Sequence, residues 1–325
     1  MPAENHDIEV LTIGRVSVDL YAEQTNASAT DVQTFRKSIG GTTTNVAVAA
    51  ARLGRRAATV TRVGDDEFGR YIRAALGGTF GVDTRYVGID PQYKTPLAFV
   101  LLDPPEEPRV MFYREPRAPD MELSIDDVDL DVVAHVPILW MAAGNLAVEP
   151  CRSTMVTVLE HRAAKQHTVL DLDWRPMFWD SPAAAAEQIV PLLSLCSIVI
   201  GNRTECEVAV GTSDPRLASE RLLAHGLDVA IIKLGANGVF VADRHGLRAQ
   251  VPPVPIEAVC GVGAGDAFGG AFCHGLLSGW DLTDCVQAGS AAGAIVASRL
   301  MCADDMPTWP EVEALLRTGT VVKRT

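Results

Sequence analysis

The chain has 325 residues, 48 % of them hydrophobic, so it can bury a sizeable core and is not disordered as a whole. Its 41 acidic against 28 basic side chains give a net charge of −13, the wrong sign for a nucleic-acid binder, although local arginines and helix N-termini can still hold small anions. No apolar run approaches the roughly 18 residues of a membrane span, and MPAENHDIEVLTIG lacks the basic-then-apolar order of a secretory signal. The seven cysteines show no CxxC spacing and are expected to be thiols of a reducing compartment, in a cytoplasmic protein that meets neither membrane nor nucleic acid.

In chain order, IEVLTIG (8–14) predicts a strand ending at Gly14. Asp19 is expected just beyond that strand's edge, where open α/β folds place ligand residues. The polar stretch 23–38 is expected as a strand or loop of a lid. In GGTTTNVAVAAARLG the threonines are expected to cap a helix that runs through 46–53 to Gly54, and 57–63 predicts the next strand. A helix follows over 66–76. Strands over 95–102 and 109–114, separated by DPPEEP, predict a hairpin outside the main parallel sheet. From 137 the strand–helix rhythm resumes, with strands over 137–143, 167–173, 197–202, 228–235 and 238–242. Helices are predicted over 150–165 and 214–226. Two helices rich in Gly and Ala close the pattern over 264–279 and 281–299. One large α/β unit spanning 1–325 results, with lid segments near 15–39 and 94–118.

The sharpest chemical feature is GVGAGDAFGGAF (261–272). Gly263, Ala264 and Gly265 stand directly before a helical pattern, so their N–H groups can converge on a phosphate with the helix dipole behind them. Asp266, in the first turn, is placed to orient a hydroxyl and take its proton; the bland alternative is a cap. In GNRTE (201–205), Asn202 and Glu205 share a face after an apolar strand. They suit hydrated Mg²⁺ on phosphates, or equally a plain capping box. KLGANG (233–238) offers Lys233 at a strand end, facing either a phosphate or solvent. Asp173 and Arg175 in DLDWRPMFW, and Arg114 and Arg117 in FYREPRAPD, supply charge near a strand end and on the hairpin. Such arginines grip a carboxylate or simply face water. The histidines have no zinc-ligand spacing, and neither a Walker loop nor an early GxGxxG is present.

Taken together, GGTTTN, GNRTE, KLGANG and GVGAGDAF in this order resemble the ribokinase-like (phosphofructokinase-B) sugar kinases, over about residues 8–310. The resemblance implies a three-layer α/β/α fold with a mostly parallel central sheet and a small β-sheet lid, often used for homodimerisation. It implies ATP and Mg²⁺, and phosphorylation of a sugar hydroxyl. By motif position, Asp19, Gly40, Gly41 and Asn45 would hold the sugar. Asn202 and Glu205 would organise Mg²⁺ through water. Lys233, Gly235 and Gly238, with Gly261, Gly263 and Gly265, would line the nucleotide and its phosphates. Gly263, Ala264 and Gly265 would form the anion hole and Asp266 would be the base. The family's Asp-Thr pair before Gly-Ala-Gly-Asp is here Cys260 and Gly261, so the K⁺ activation linked to that loop lacks its defining pair. FYREPRAPD, DLDWRPMFW, GNRTECEVAVG and MCADDMPT resemble the branch that phosphorylates the deoxy keto sugar acid of myo-inositol breakdown, with 2-keto-3-deoxygluconate kinases the nearest rival. A small sugar acid as substrate follows, its carboxylate on Arg114, Arg117 or Arg175. Neutral-sugar and nucleoside kinases share the fold, and a non-catalytic sugar-binding protein is the alternative of another class.

Overall fold

The computed structural model describes residues 8–105, 108–165 and 167–321. Strand β1 (Val10–Ile13) is buried along its whole length, as a parallel strand covered on both faces must be. The chain then leaves the main sheet. β2 (Ser17–Thr25) and β3 (Phe35–Gly40) pair antiparallel, so the polar stretch after residue 22 is partly strand and partly turn. Helix α1 (Thr42–Arg52) returns the chain, and β4 (Ala57–Gly64) lies parallel to β1. α2 (Glu67–Ala74) continues as a π-helical turn over Ala75–Phe80 and leads to β5 (Val87–Asp90). β6 (Leu97–Leu102) and β7 (Arg109–Tyr113) form the expected hairpin, with β6 parallel to β2.

After α3 (Leu130–His135), strands and helices alternate through β8 (Ile138–Ala142), α4 (Cys151–Arg162), β9 (Thr168–Asp171), α5 (Pro182–Ile189) and β10 (Ile198–Asn202). α6 (Arg203–Val210), α7 (Pro215–Ala224) and β11 (Val229–Lys233) follow. β12 (Val239–Asp243) and β13 (Arg248–Val251) turn back antiparallel. α8 (Ala264–Leu277), α9 (Leu282–Ala297) and α10 (Trp309–Thr318) complete the chain.

The main sheet runs β13-β12-β11-β10-β9-β8-β1-β4-β5 and the small one β3-β2-β6-β7. Side-chain alternation splits the main sheet between two cores. Ile198, Ile200 and Ile231 pack with α1, α8 and α9 on one face, while Val199, Ala230 and Ile232 pack with α4, α5 and α7 on the other. That is the three-layer arrangement. Because β8 through β11 are parallel neighbours, their carboxyl ends align, and Asp171, Asn202 and Lys233 end adjacent strands at one edge. Among the described residues no helix is long and apolar enough to cross a membrane. All seven cysteines are buried free thiols.

Two local expectations need correction. The threonines do not cap α1: Gly41 is the N-cap, and Thr42, Thr43 and Thr44 are buried in the first turn, where the hydroxyl of Thr44 donates to the Arg15 carbonyl at 2.9 Å. Tertiary contact has claimed groups that local capping would have used. Asp19 does not follow the edge of the main sheet. It lies within β2, on the face of the small sheet turned toward the strand ends.

Candidate active site

The aligned strand ends and the small sheet enclose a cleft of about 780 Å³. Asp19, Gly41, Asn45, Arg114, Asp173, Arg175, Asn202, Glu205, Lys233, Gly261, Gly263, Gly265 and Asp266 all line it. Segments up to 247 residues apart in sequence thus meet in one concavity.

One end of the cleft is formed by the start of α8. Gly263 is its N-cap, with φ 84°, a conformation that glycine adopts without strain. A Cβ at Gly263 would also fall 2.1 Å from the Cys302 sulfur, so both torsion and space exclude a side chain. The first-turn amides of Gly265 and Asp266 have no intrahelical acceptor and are available to an anion. Asp266 accepts a 2.8 Å hydrogen bond from Asn45 Nδ2, and the Cys302 thiol lies 3.8 Å from the same oxygen. Burial pushes the Asp266 carboxyl up to about 7, against the hydrogen bond from Asn45. A carboxylate poised near neutrality is suited to take a proton.

Asp19 closes the small-sheet side. The Ser17 hydroxyl donates to it at 2.6 Å, and burial raises its carboxyl to about 6. A side chain on Gly40 would land 2.0 Å from an Asp19 oxygen, so Gly40 leaves room for this carboxylate although it is not itself part of the lining.

At the strand ends, Asn202 and Glu205 form a reciprocal capping box on α6: Asn202 N donates to Glu205 Oε2 at 2.7 Å, and Glu205 N to Asn202 Oδ1 at 2.9 Å. The capping box of the sequence reading is present, and both of its residues line the cleft. Burial raises Glu205 to about 7, opposed by Lys233. Lys233 does not face bulk solvent. Its Nζ is 3.8 Å from Asp171, and although burial opposes its charge, Asp171, Glu205 and Asp266 hold its pKa above the ordinary value.

The arginines are already paired. Asp173, in a left-handed conformation with φ 28°, accepts from Arg175 Nε at 3.0 Å and Nη2 at 2.9 Å, from Arg15 Nη2, and from Thr42 Oγ1 at 3.1 Å. Burial would raise the Asp173 carboxyl, but Arg15 and Arg175 outweigh it and hold it below the usual range. Arg114 Nη2 binds Asp120 at 2.7 Å, and the other Asp120 oxygen accepts from Val16 N at 3.0 Å.

Five predicted positions do not line the cleft, Gly40 among them. Arg117 is held by Glu122 and by the Glu149 carbonyl. Gly235 lies in the turn after β11, and Gly238 packs its backbone against the Val251 carbonyl. Ala264 sits in the first turn of α8, where only its backbone serves the site. Arg15, Asp171 and Phe178 escaped the sequence reading. Arg15 follows the first strand, and Asp171 ends a strand predicted to run to Asp173. The strand-end rule that flagged Asp173 would have found both.

The pfkB family carbohydrate kinase pattern matches residues 7–309. A 5-dehydro-2-deoxygluconokinase of Bacillus subtilis is 32 % identical over 96 % of this chain and 97 % of its own, and one of Bacillus licheniformis is 31 % identical over the same shares. The fructokinase of Xylella fastidiosa, solved with bound ATP, shares the fold with a TM-score of 0.83 and 22 % identity, covering 95 % of this chain and 98 % of its own.

Proposed function

Because the chain belongs to the pfkB family of carbohydrate kinases, we propose that it transfers the γ-phosphoryl group of ATP to the terminal hydroxyl, O6, of 5-dehydro-2-deoxy-D-gluconate. The observation that carries this reading is Asp266: a carboxyl raised to about 7, bonded to Asn45, beside the open amides of the α8 N-terminus. The acceptor is supported by the full-length similarity to 5-dehydro-2-deoxygluconokinases and by the arginines of the cleft.

Asp19 and Asn45 hold the sugar hydroxyls. Asn45 lines the cleft, and its Nδ2 is bonded to Asp266. Asp266 orients the attacking hydroxyl and accepts its proton, while the Gly265 and Asp266 amides stabilise charge on the transferring group. Lys233 meets the ATP phosphates. Among the described residues no three His, Cys, Asp or Glu converge as a direct metal cage. Asn202 and Glu205, at the strand ends of the cleft, would hold Mg²⁺ through water, and the ion when bound neutralises phosphate charge. Cys260 is a buried thiol and Gly261 has no side chain, so these two positions offer no side-chain oxygen to K⁺.

The small sheet serves as a lid that excludes water from the cleft. Its outer face carries Phe35, Phe99 and the exposed Tyr113 in edge contact, and we assign that face to a homodimer interface. The chain acts in the cytoplasm.

ADP release with Mg-ATP tests the acceptor, with 5-dehydro-2-deoxygluconate, 2-keto-3-deoxygluconate, fructose, ribose and adenosine compared at equal concentration. A preference in kcat/KM for the first is expected. Preference for another keeps the kinase and changes the acceptor. Silence with all five, in a protein that binds ATP, leaves a sugar-binding protein without catalysis.

A further inference from the structure

The two donors that reach Asp266 meet on one of its oxygens. Asn45 Nδ2 of α1 lies 2.8 Å from Oδ2, and the Cys302 sulfur, in the loop between α9 and α10, lies 3.8 Å from the same atom. Oδ1 is bonded to none of the described residues and is not sealed from the cleft that Asp266 lines. The same sulfur fills the place a side chain on Gly263 would need, since a Cβ there would fall 2.1 Å from it. One buried sulfur thus packs on the N-cap of α8 and on the carboxylate in its first turn.

Toward Asp266 the sulfur is a donor. Burial, with Asp266 and Asp19 beside it, pushes the Cys302 thiol well above its ordinary range, so the sulfur keeps its proton. A thiol donates weakly, but its acceptor here is a carboxylate and the pair is out of water. The loop fixes the sulfur. Met301 N donates to Asp305 Oδ2 at 2.8 Å, Arg299 reaches the Asp305 carbonyl at 2.9 Å and Glu311 at 2.6 Å, and Ser38 of β3 donates to Asp304 at 2.5 Å. The other charged or titratable groups that face Asp266 are Asp171, Asp173, Arg175, Lys233 and Tyr21, and none of these five is hydrogen-bonded to it.

We propose that Cys302 is a positioning residue for the base: its S–H and the Asn45 amide together hold Oδ2, so the carboxylate does not turn and Oδ1 is presented to the attacking hydroxyl. The hydroxyl proton passes to Oδ1 as the hydroxyl oxygen bonds to phosphorus and the bond from phosphorus to ADP breaks. Cys302 touches no reacting atom and acts only through Asp266. This rests on the reading of Asp266 as the base. A hydrogen bond to the charged form also favours that form, so the thiol works against the burial of the carboxylate.

The test is the pH dependence of kcat/KM in Cys302→Ala and Cys302→Ser. The two replacements open nearly the same space, and only serine keeps a donor. Cys302→Ala is expected to move the acidic limb upward by at least about 0.5 pH unit, a loss of about threefold in kcat/KM on that limb, with little change on the alkaline plateau. Cys302→Ser is expected to recover at least half of that shift. A limb that stays in place in Cys302→Ala, or a Cys302→Ser limb shifted by more than half as much, overturns the proposal and leaves the sulfur a packing group. Should neither variant fold, the infrared S–H stretching bands of the seven thiols decide. One band at lowered frequency in the parent that moves back in Asp266→Asn supports the bond, and identical bands in the two proteins refute it. Failure of the base reading is a separate result, because Asp266→Asn would then keep its turnover whatever Cys302 does.

Discussion

The base proposed at Asp266 sits where burial opposes its charge. Burial pushes its carboxyl to about 7 from an ordinary 3.8, so the charged base is expensive in the folded protein before any ligand arrives. Asp266→Asn is expected to keep ATP binding and lose at least ~100-fold in kcat, the scale of an acid–base residue. A variant within threefold of the parent in single-turnover assays would remove the base. For the parent, kcat/KM should rise with pH and level off above about 7, as Asp266 loses its proton. The stability consequence has the reverse direction. A carboxyl raised in the folded state binds more protons there than in the unfolded chain, so its stabilising contribution is full below about 4 and is lost as pH rises through about 7. Asp266→Asn should therefore raise the Tm more at pH 8 than at pH 4, and an equal change at both pH values would contradict the burial of this charge.

At the scale of elements, the strand ends and first turns do the positioning. GNRTE left two readings in the sequence, metal-organising pair or capping box. The structure contains the capping box and places it in the cleft wall, where the proposed Mg²⁺ role can be tested beside it. Asn202→Ala should then cost about 1 kcal/mol in urea unfolding for the lost cap. It should also raise the Mg²⁺ concentration needed for half-maximal turnover; an unchanged Mg²⁺ dependence would leave the cap as its whole role. Gly263→Ala meets both a left-handed torsion and the Cys302 sulfur. We expect a drop in kcat larger than the rise in sugar KM, because the proposed anion hole is displaced while the proposed sugar contacts remain. The threonines of GGTTTN show where local reasoning stops: a capping residue by composition becomes a buried first-turn residue once the Arg15 carbonyl lies over it.

At the scale of the whole molecule, two sheets close over one cleft, and the small sheet has an apolar outer face with Leu20, Phe99 and Met111 only partly buried. If that face joins two copies, sedimentation velocity should give a dimer, and Phe99→Glu should give a monomer with intact secondary structure. A monomeric parent at micromolar concentration would refute the interface. The alternation of apolar strands and helices, the hairpin set apart by DPPEEP and the glycine turn before Asp266 were all legible in the sequence. Each is written in local periodicity or in a contiguous motif, and local patterning survives tertiary packing. The pairing of Arg15 was not legible, nor was the sharing of Asp173 between two arginines, the capture of Arg117 by Glu122 and Glu149 or the second cavity that adjoins the cleft at Arg15 and Arg114. These depend on which of several equally charged side chains the fold buries together. Pairing across 158 residues, as between Arg15 and Asp173, is decided by the desolvation and hydrogen-bond balance of the packed protein.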